Sequence, residues 1–397
     1  MSERSISLPE IARVFLRIGA MSYGGPAIMG IMQAEIQEKR QWIDKQRFVE
    51  GLSLVNMLPG PVATQLGIYI GHEAGGMAGG VLAGLCFILP GFFILLALAA
   101  AYVAYGALPS MRDAFYGIGP VVLGIFAAAV YRLGRASIKE VSQAVIAVTA
   151  ALVILATSLG FAVTLLAAGC VGVALFHSRP AGLVALVGVS AAYAIAQYLD
   201  WFALPAAGSG AAAAPSLWNL AAFFFKVGAL TFGGGLSMLA FMEQQVVSQL
   251  AWLTPQEFVD GLALGQLTPG PVLMLAAFVG FKLMGTQGAA VAAAAIFLPS
   301  FLMMLSILPL LKKLGGLRWL RAFMRGAGPA VIGALAASLG QMAPHAAPDA
   351  FTALLLIATL TLTLLRNVGP LSLMASGALA GLIGRHAPLA GIEELFE

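Results

Sequence analysis

The chain contains two copies of one segment, and this duplication constrains its fold more than any other feature of the sequence. The stretch FLRIGAMSYGGP at 15–26 aligns with FFKVGALTFGGG at 224–235, and a Pro-Gly-Pro at 59–61 aligns with another at 269–271. Because the offset stays at 209 or 210 residues, about 110 residues are duplicated and we expect two homologous halves. Further aligned pairs are 42–54 with 252–264, 87–92 with 296–301, and 117–124 with 326–333.

The composition places both halves in a lipid bilayer. Apolar residues make up 60% of the 397 residues, charged residues only 10%, and the mean hydropathy is +0.94. Soluble domains carry about 25% charged residues, so the sequence predicts an all-α polytopic membrane protein with little room for a soluble domain. The N-terminal stretch lacks an apolar core followed by a small-residue cleavage site, so we expect no signal peptide.

Several functional classes lack their motifs in this sequence. There is no Walker A phosphate loop, no metal-ligand spacing of Cys and His, and no plausible nucleophile–base pair. Cys86 and Cys170 lie in apolar runs and are expected to be core residues. The Gly-rich stretch 72–80 is predicted to be a tight turn into a closely packed helix. We therefore expect no enzyme activity, no cofactor, no metal and no nucleic-acid partner.

The basic residues predict that the two halves lie in opposite orientations. Residues 36–47 contain four Lys or Arg, whereas the matching 244–257 contain none. Farther along, the bias reverses, because 103–113 contain one basic residue and 312–321 contain four. Cytoplasmic loops of membrane proteins carry the excess of Lys and Arg. The sequence thus predicts an inverted-topology repeat, the architecture of many secondary transporters.

The apolar runs and their breaks predict the order of elements along the chain. A reading in which the broken elements are hairpins that enter the membrane and return fits the charge pattern, and full crossings are the alternative. The predicted units are a first repeat core at 1–140 (broken hairpins 8–38 and 46–74, helices about 79–104 and 114–131), further membrane helices at 141–202, a linker at 203–216, a second repeat core at 217–345 (broken hairpins 217–250 and 257–283, helices about 286–311 and 322–340), and C-terminal membrane helices with a tail at 346–397.

Four backbone breaks interrupt the apolar segments and predict a binding site. Proline lacks an N–H donor, and irregular backbone is tolerated at membrane depth only inside protein or along a watery cavity. A helix that restarts after a break presents free N–H groups and the positive end of its dipole, which together bind anions. The alternative for a single break is a kink or a tight loop. The breaks, predicted to meet near the midplane, are Gly24-Gly25-Pro26, Pro59-Gly60-Pro61, Gly233-Gly234-Gly235 and Pro269-Gly270-Pro271.

Polar side chains next to the breaks are candidates for substrate binding. Hydroxyls and amides can donate hydrogen bonds to a tetrahedral oxyanion and still let it leave. Each of them could instead cap a helix or bond between helices. The candidates are Ser22, Tyr23, Asn56, Thr64 and Gln65 in the first half and Thr231, Gln266 and Thr268 in the second.

Two pairs of charged residues occupy matching positions in the halves. Arg17 and Lys226 lie in apolar helices shortly before the glycine-rich breaks. They supply positive potential that draws an anion inward, or they extend to a membrane interface. Glu50 and Asp260 lie before the two Pro-Gly-Pro breaks. They are carboxylates of a proton relay, or residues favoured at a helix start by the dipole.

With these motifs together, the sequence resembles the chromate ion transporter family in its long-chain form with two homologous halves. The resemblance lies in YGGP, EKRQWIDKQRFVEGLSLVNMLPGPVATQLGIYIG and GGVLAGLCFILPGF in the first half. In the second half it lies in KVGALTFGGGLSML, WLTPQEFVDGLALGQLTPGP and FVGF. It implies a multi-pass protein of a prokaryotic cytoplasmic (inner) membrane that exports chromate, with protons as the coupling ion and sulfate as a competitor or related substrate.

Two residues depart from the family pattern, and alternatives to export stay open. Tyr23 stands where the family motif usually has Phe, and Gln266 stands where many members carry an acid. If that acid carries the coupling proton, Gln266 alters the coupling. A passive anion channel, a transporter of another oxyanion and a membrane scaffold are the alternative functions. The small-residue segment 377–384 suits helix packing within the chain or in a homodimer.

Overall fold

The computed structural model describes residues 6–22, 25–56, 58–106, 108–157, 161–198, 216–231, 237–308, 318–366 and 368–384, and these ranges contain helices and turns but no strand. A π-helical segment continues α2 at Gln33–Lys39 and α10 at Glu243–Gln249, and a 3₁₀ turn at Val272–Met274 precedes α12. The helices are α1 (Leu8–Met21), α2 (Gly25–Met32), α3 (Lys45–Val55), α4 (Val62–Tyr105), α5 (Pro109–Ser137), α6 (Val141–Ala156), α7 (Phe161–Phe176), α8 (Arg179–Tyr198), α9 (Leu217–Ala229), α10 (Ser237–Met242), α11 (Pro255–Leu267), α12 (Leu275–Ile307), α13 (Arg318–Ala346), α14 (Ala350–Arg366) and α15 (Pro370–Gly384).

Helix α3 and the first part of α4 form an antiparallel hairpin whose tip is the first Pro-Gly-Pro. At its base the Arg47 guanidinium lies 2.7 Å from the Glu73 carboxylate, and the Tyr69 hydroxyl donates to the Arg47 carbonyl at 3.0 Å. The aromatic ring of Tyr69 packs directly on Gly51, which leaves no room for a side chain there. The hairpin therefore begins and ends on the same side and does not cross the protein.

The second half builds the same hairpin from α11 and the first part of α12. Its base is joined by the Lys282 ammonium and the Glu257 carboxylate, 3.0 Å apart. These two residues match Glu73 and Arg47 of the first half with the charges exchanged. The geometry of the hairpin is therefore kept in both repeats while the residues that hold its base differ.

Both long helices reverse direction at a glycine soon after the hairpin. Gly76 in α4 has φ 65° and ψ −158°, and Gly285 in α12 has φ 61° and ψ −150°, a conformation that is strained for other residues. The 13 residues of α4 before the reversal span about 20 Å at 1.5 Å per residue. That is less than the hydrocarbon core of about 30 Å, so this segment alone is too short to cross a bilayer. The turn predicted at 72–80 is confirmed.

The surface of the helices is that of a protein embedded in lipid. Stretches within α4, α5, α12 and α13 are long and apolar enough to cross a membrane. Large apolar side chains project outward from most helices, an arrangement that is unfavourable in water. Examples are Phe93, Val148, Leu152, Leu302 and Leu365. Together with the two homologous halves, these features confirm the predicted all-α polytopic membrane fold.

The later helices of each half pack against the central helix of the other half. Helix α13 packs against α6 and α7 of the first half, and α5 packs against α14 and α15 of the second. Gly117 lies against the backbone of Gly377 and Gly381, and Gly326 lies against Gly172 in the matching way. Small residues let helices approach closely in membranes. The repeat thus extends through α7 and α15, beyond the stretch that the sequence matches delimited, and α8 connects the copies.

The small-residue segment 377–384 is used within the chain. Gly377 packs on Val121, and Gly381 approaches the backbone of Asp113 and Gly117 on α5. These contacts account for the glycines without a second subunit. A homodimer stays a prediction.

Candidate functional site

The tip of each hairpin is hydrogen-bonded to the end of the first helix of the opposite half. The Gly60 amide of the first Pro-Gly-Pro donates to the Thr231 carbonyl at 2.5 Å, and Thr231 ends the segment after α9. The Gly270 amide of the second Pro-Gly-Pro donates to the Ser22 carbonyl at 2.7 Å, and Ser22 ends α1. The two bonds are equivalent under the repeat. The breaks of the two halves are thus joined crosswise at the centre of the molecule.

Glycine is required at the middle of each Pro-Gly-Pro. Gly60 has φ 125° and Gly270 has φ 106°, a region that L side chains rarely adopt. A Cβ atom on Gly60 would lie 2.6 Å from the Ser300 hydroxyl and closer still to the Gln65 amide. The flanking prolines lack an N–H, so neither neighbouring helix continues through the turn. The motif therefore turns one amide toward the other half and begins a new helix.

Each Pro-Gly-Pro is followed directly by a helix N-terminus. Pro61 is the N-cap of α4 and Pro271 is the N-cap of the 3₁₀ turn that leads into α12. Proline has no side-chain acceptor, and no described side chain caps either start. The first-turn N–H groups and the positive end of the helix dipole are therefore directed at the tips. Such an end binds oxyanions without a basic side chain.

Several predicted binding residues are buried at the tips. Thr231 and Thr268 donate their hydroxyl protons to carbonyls one turn back, Val227 and Leu264, both at 2.7 Å. Their single protons are used, so these two hydroxyls have no further hydrogen to give. By contrast, Ser22 Oγ, Thr64 Oγ1 and Gln65 Oε1 have no hydrogen-bond partner among the described atoms, although all three residues are fully buried.

Two predicted amides have local roles in the geometry. Gln65 Nε2 donates to the Pro59 carbonyl at 2.5 Å and braces the Pro-Gly-Pro turn from within α4. Asn56 is exposed and its Nδ2 donates to the Leu52 carbonyl at 2.7 Å, at the end of α3. Gln266 is half-buried in the last turn of α11. Gln65 thus shapes the turn, and Asn56 finishes a helix.

The glycine-rich breaks are described only in part. Gly25 and Pro26 begin α2, and their side-chain surroundings are not described. The predicted site residues that lie outside the described residues are Tyr23, Gly24, Gly233, Gly234 and Gly235.

The predicted cations lie on the helices that end at the tips. Arg17 on α1 is exposed, and Lys226 on α9 is half-buried. Each stands five residues before Ser22 or Thr231, which is about 7.5 Å along a helix axis. Both charges therefore lie near the tips along the chain. Their predicted role in drawing an anion inward stays a prediction.

The two matching carboxylates have different surroundings. Asp260 is 5% exposed and accepts from the Tyr102 hydroxyl at 2.7 Å and from the Gln256 amide at 2.9 Å. Glu50 is exposed and accepts from the Gln46 amide at 3.0 Å. A cavity of about 350 Å³ lies beside Asp260. Its polar lining consists of Tyr102, Arg112, Tyr116, Gln256, Asp260 and His345.

A second buried carboxylate was not found from the sequence. Glu243, in the π-helical segment after α10, is 5% exposed, and one of its oxygens accepts from the Ser248 hydroxyl at 3.4 Å. Its other oxygen has no partner among the described atoms. The matching residue of the first half is Gln33, so comparison of the halves gave no signal. The acid at the end of the apolar run SMLAFM was the one available indication.

The two halves pack differently against the central helices α5 and α13. Val259 on α11 is 1% exposed because α11 packs on both of these helices, whereas the matching Val49 on α3 is 51% exposed. Helix α10 likewise packs on α13, and α2 packs on α4 of its own half. Helix α11 is thus covered by the central helices, whereas α3 is not.

This combination of fold and site defines a class of protein. Two homologous halves of membrane helices, with broken helices from each half meeting at the centre, form a multi-pass transporter of the inverted-repeat type. The chain is thus a transporter and not an enzyme. The sequence profile of the family described as chromate transporter matches residues 9–173 and 218–382. The chain belongs to the chromate transporter family.

Relatives in three bacteria support this assignment. A chromate transport protein of Cupriavidus metallidurans is 35% identical over 392 residues, covering 95% of this chain and 93% of the relative. A probable chromate transport protein of Synechococcus elongatus is 35% identical over 348 residues, covering 86% and 87%. A chromate transport protein of Pseudomonas aeruginosa is 32% identical over 345 residues, covering 85% and 82%. No solved structure matches the chain.

Proposed function

We propose that the protein exports chromate across the cytoplasmic membrane, coupled to protons, by alternating access around the two Pro-Gly-Pro turns and the helix ends bonded to them. The observation that carries this proposal is the crosswise pair of hydrogen bonds from Gly60 to Thr231 and from Gly270 to Ser22. It joins the two helix starts to the centre of the molecule, where both halves can act on one substrate. The family assignment and the named relatives supply the substrate.

The chemistry of the tips suits a tetrahedral dianion. Chromate offers hydrogen-bond acceptors on every side, and the tips offer backbone N–H groups, helix dipoles and the buried hydroxyls of Ser22 and Thr64. Charge is neutralised by many weak donors and not by one strong ion pair, so the anion can be released. Sulfate has the same shape and charge, and we expect it to compete for the site.

Alternating access is supported by the unequal packing of the two halves. In an inverted repeat, exchanging the conformations of the halves converts a state open to one side into a state open to the other. Here α11 is closed on α5 and α13 while α3 is not. We propose that this structure is the cytoplasm-open state and that the opposite state buries α3 and releases α11.

Proton coupling is assigned to the buried carboxylates of the second half. Carboxylates inside a membrane protein are functional candidates by default. Asp260 on α11 borders the cavity and is held by Tyr102 and Gln256. Opening of α11 exposes this carboxylate to the outer solution, where it can exchange its proton. Gln266 stands where the resemblance implies an acid in many members, and Asp260 and Glu243 are buried acids of the second half near α11.

Thiol labelling of matched positions tests the alternating-access part of the proposal. We expect Val49→Cys to react with a membrane-impermeant thiol reagent from the cytoplasmic face, because Val49 is half-exposed, and Val259→Cys to be protected. During chromate export the labelling of Val259→Cys should rise from the outer face. The two native cysteines are buried and give a low background.

The same labelling separates a transporter from a passive channel. A channel open to both sides would leave Val49→Cys and Val259→Cys reactive together, with rates that do not depend on chromate. That outcome would contradict alternating access. A counterflow measurement in proteoliposomes is the control, since exchange of labelled for unlabelled chromate without net current is a property of a carrier.

A further inference from the structure

We infer that Ser300 is a substrate-binding residue, which donates its hydroxyl to the oxyanion at the first Pro-Gly-Pro turn together with Thr64. The inference rests on the proposed function and adds to it a residue from the opposite half. Sequence comparison of the halves does not single out Ser300, because the matching residue of the first half is Gly91.

The position of Ser300 places its hydroxyl at the turn. Ser300 lies in α12 directly after Pro299 and is 0% exposed. Its Oγ lies 2.6 Å from the place where a Cβ atom on Gly60 would stand. The hydroxyl is therefore in contact with the backbone that ends one hairpin arm and begins α4.

The hydroxyl of Ser300 has no hydrogen-bond partner among the described atoms. Serine inside a helix ordinarily donates to the carbonyl four residues back, as Thr231 and Thr268 do at the same tips. Ser300 does not, although it is fully buried. Buried polar groups in folded proteins nearly always have a partner, so a free donor at this place indicates a ligand.

A second free hydroxyl lies in the helix that begins at the same turn. Thr64, in the first turn of α4, is 0% exposed, and its Oγ1 also has no partner among the described atoms. Two buried hydroxyls and the N–H groups of the α4 start therefore belong to the first Pro-Gly-Pro and its surroundings. A tetrahedral oxyanion supplies several acceptors in such an arrangement, whereas a cation or an apolar ligand supplies none.

The second Pro-Gly-Pro turn is surrounded by different side chains. Gly91, the counterpart of Ser300, packs on the Pro269 carbonyl, and Met274 stands where the first half has Thr64. Ser22 is the one free hydroxyl that the described residues place beside this turn. The backbone of the Pro-Gly-Pro turn is therefore present in both halves, but more of the free hydroxyl donors lie at the first turn. Ser300 is the residue that the second half contributes to that turn.

The variant Ser300→Ala tests the inference in the full-length protein. We expect the KM for chromate in proteoliposomes to rise about tenfold or more, as for loss of a hydrogen bond to a charged group. The thermal stability without chromate should be unchanged or higher, because the lost hydroxyl has no partner among the described atoms. The increase in melting temperature on adding chromate should shrink. Thr64→Val should behave in the same way.

The control is Thr359→Val, an isosteric loss of a buried hydroxyl on α14, away from the tips. It should leave both the KM and the chromate-dependent stabilisation unchanged. If chromate stabilises the wild-type protein and stabilises Ser300→Ala to the same extent, with the same KM, the role of Ser300 is overturned and the proposed function is not affected. Absence of any chromate response in the wild-type protein would instead overturn the proposed function.

Discussion

Replacement of Gly60 by alanine should abolish chromate transport while the protein still inserts into the membrane. Gly60 has φ 125°, where an added Cβ costs about 1–3 kcal/mol of backbone strain. The Cβ would also meet the Ser300 hydroxyl at 2.6 Å. Relief of either strain moves the start of α4 and the bond to Thr231. A displacement of about 1 Å in a positioned site can cost roughly a hundredfold in rate.

The matched control for this variant is Gly265→Ala in the hairpin arm α11. A Cβ on Gly265 has no heavy atom within 4 Å and meets no strain, since its φ is not in the left-handed region. Initial rates of chromate uptake, normalised to the amount of monodisperse protein, give the comparison. Normal transport by Gly60→Ala would show that the Pro-Gly-Pro turn is only a connection between helices.

Replacement of Asp260 by asparagine should separate exchange from accumulation. The change keeps the size of the side chain and the bonding positions for Tyr102, but removes the ability to carry a proton. Chromate counterflow across proteoliposomes should persist, because it needs no net proton movement. Accumulation driven by a proton gradient should fall to the level of protein-free vesicles.

The control for Asp260→Asn is Glu38→Gln, the same chemical change on an exposed residue of the π-helical segment after α2. Its accumulation of chromate should equal that of the wild-type protein. Undiminished gradient-driven accumulation by Asp260→Asn would exclude this carboxylate as the coupling group. In that case Glu243, buried on the same side, becomes the residue to replace.

The features that sequence could predict follow from repetition and charge. The register of Pro59-Gly60-Pro61 with the second Pro-Gly-Pro revealed two homologous halves, and the exchange of basic residues between matching loops indicated their orientation. Both signals are patterns in the sequence itself, so they can be recognised without a structure. The extension of the repeat to α7 and α15 was missed because those helices keep their packing glycines, such as Gly172 and Gly381, among otherwise unlike residues.

The side-chain geometry of the site could not be predicted in the same way. Ser300 comes from a helix of the other half, and the pairing of Tyr102 with Asp260 joins residues of different repeats. Neither relation leaves a pattern in the sequence of one chain. Whether the Thr231 hydroxyl donates to the Val227 carbonyl also depends on the side-chain rotamer of Thr231. Polar residue types near the breaks were therefore visible, but their hydrogen-bond partners were not.

Uptake of labelled chromate into inverted membrane vesicles measures export directly, because the cytoplasmic face of such vesicles faces the medium. With a proton gradient, acidic inside, vesicles containing the wild-type protein should accumulate chromate above its external concentration, and excess sulfate should compete. A protonophore should reduce the uptake to equilibration. Equal uptake with and without the gradient, or no uptake of chromate or sulfate at all, would contradict proton-coupled export by this protein.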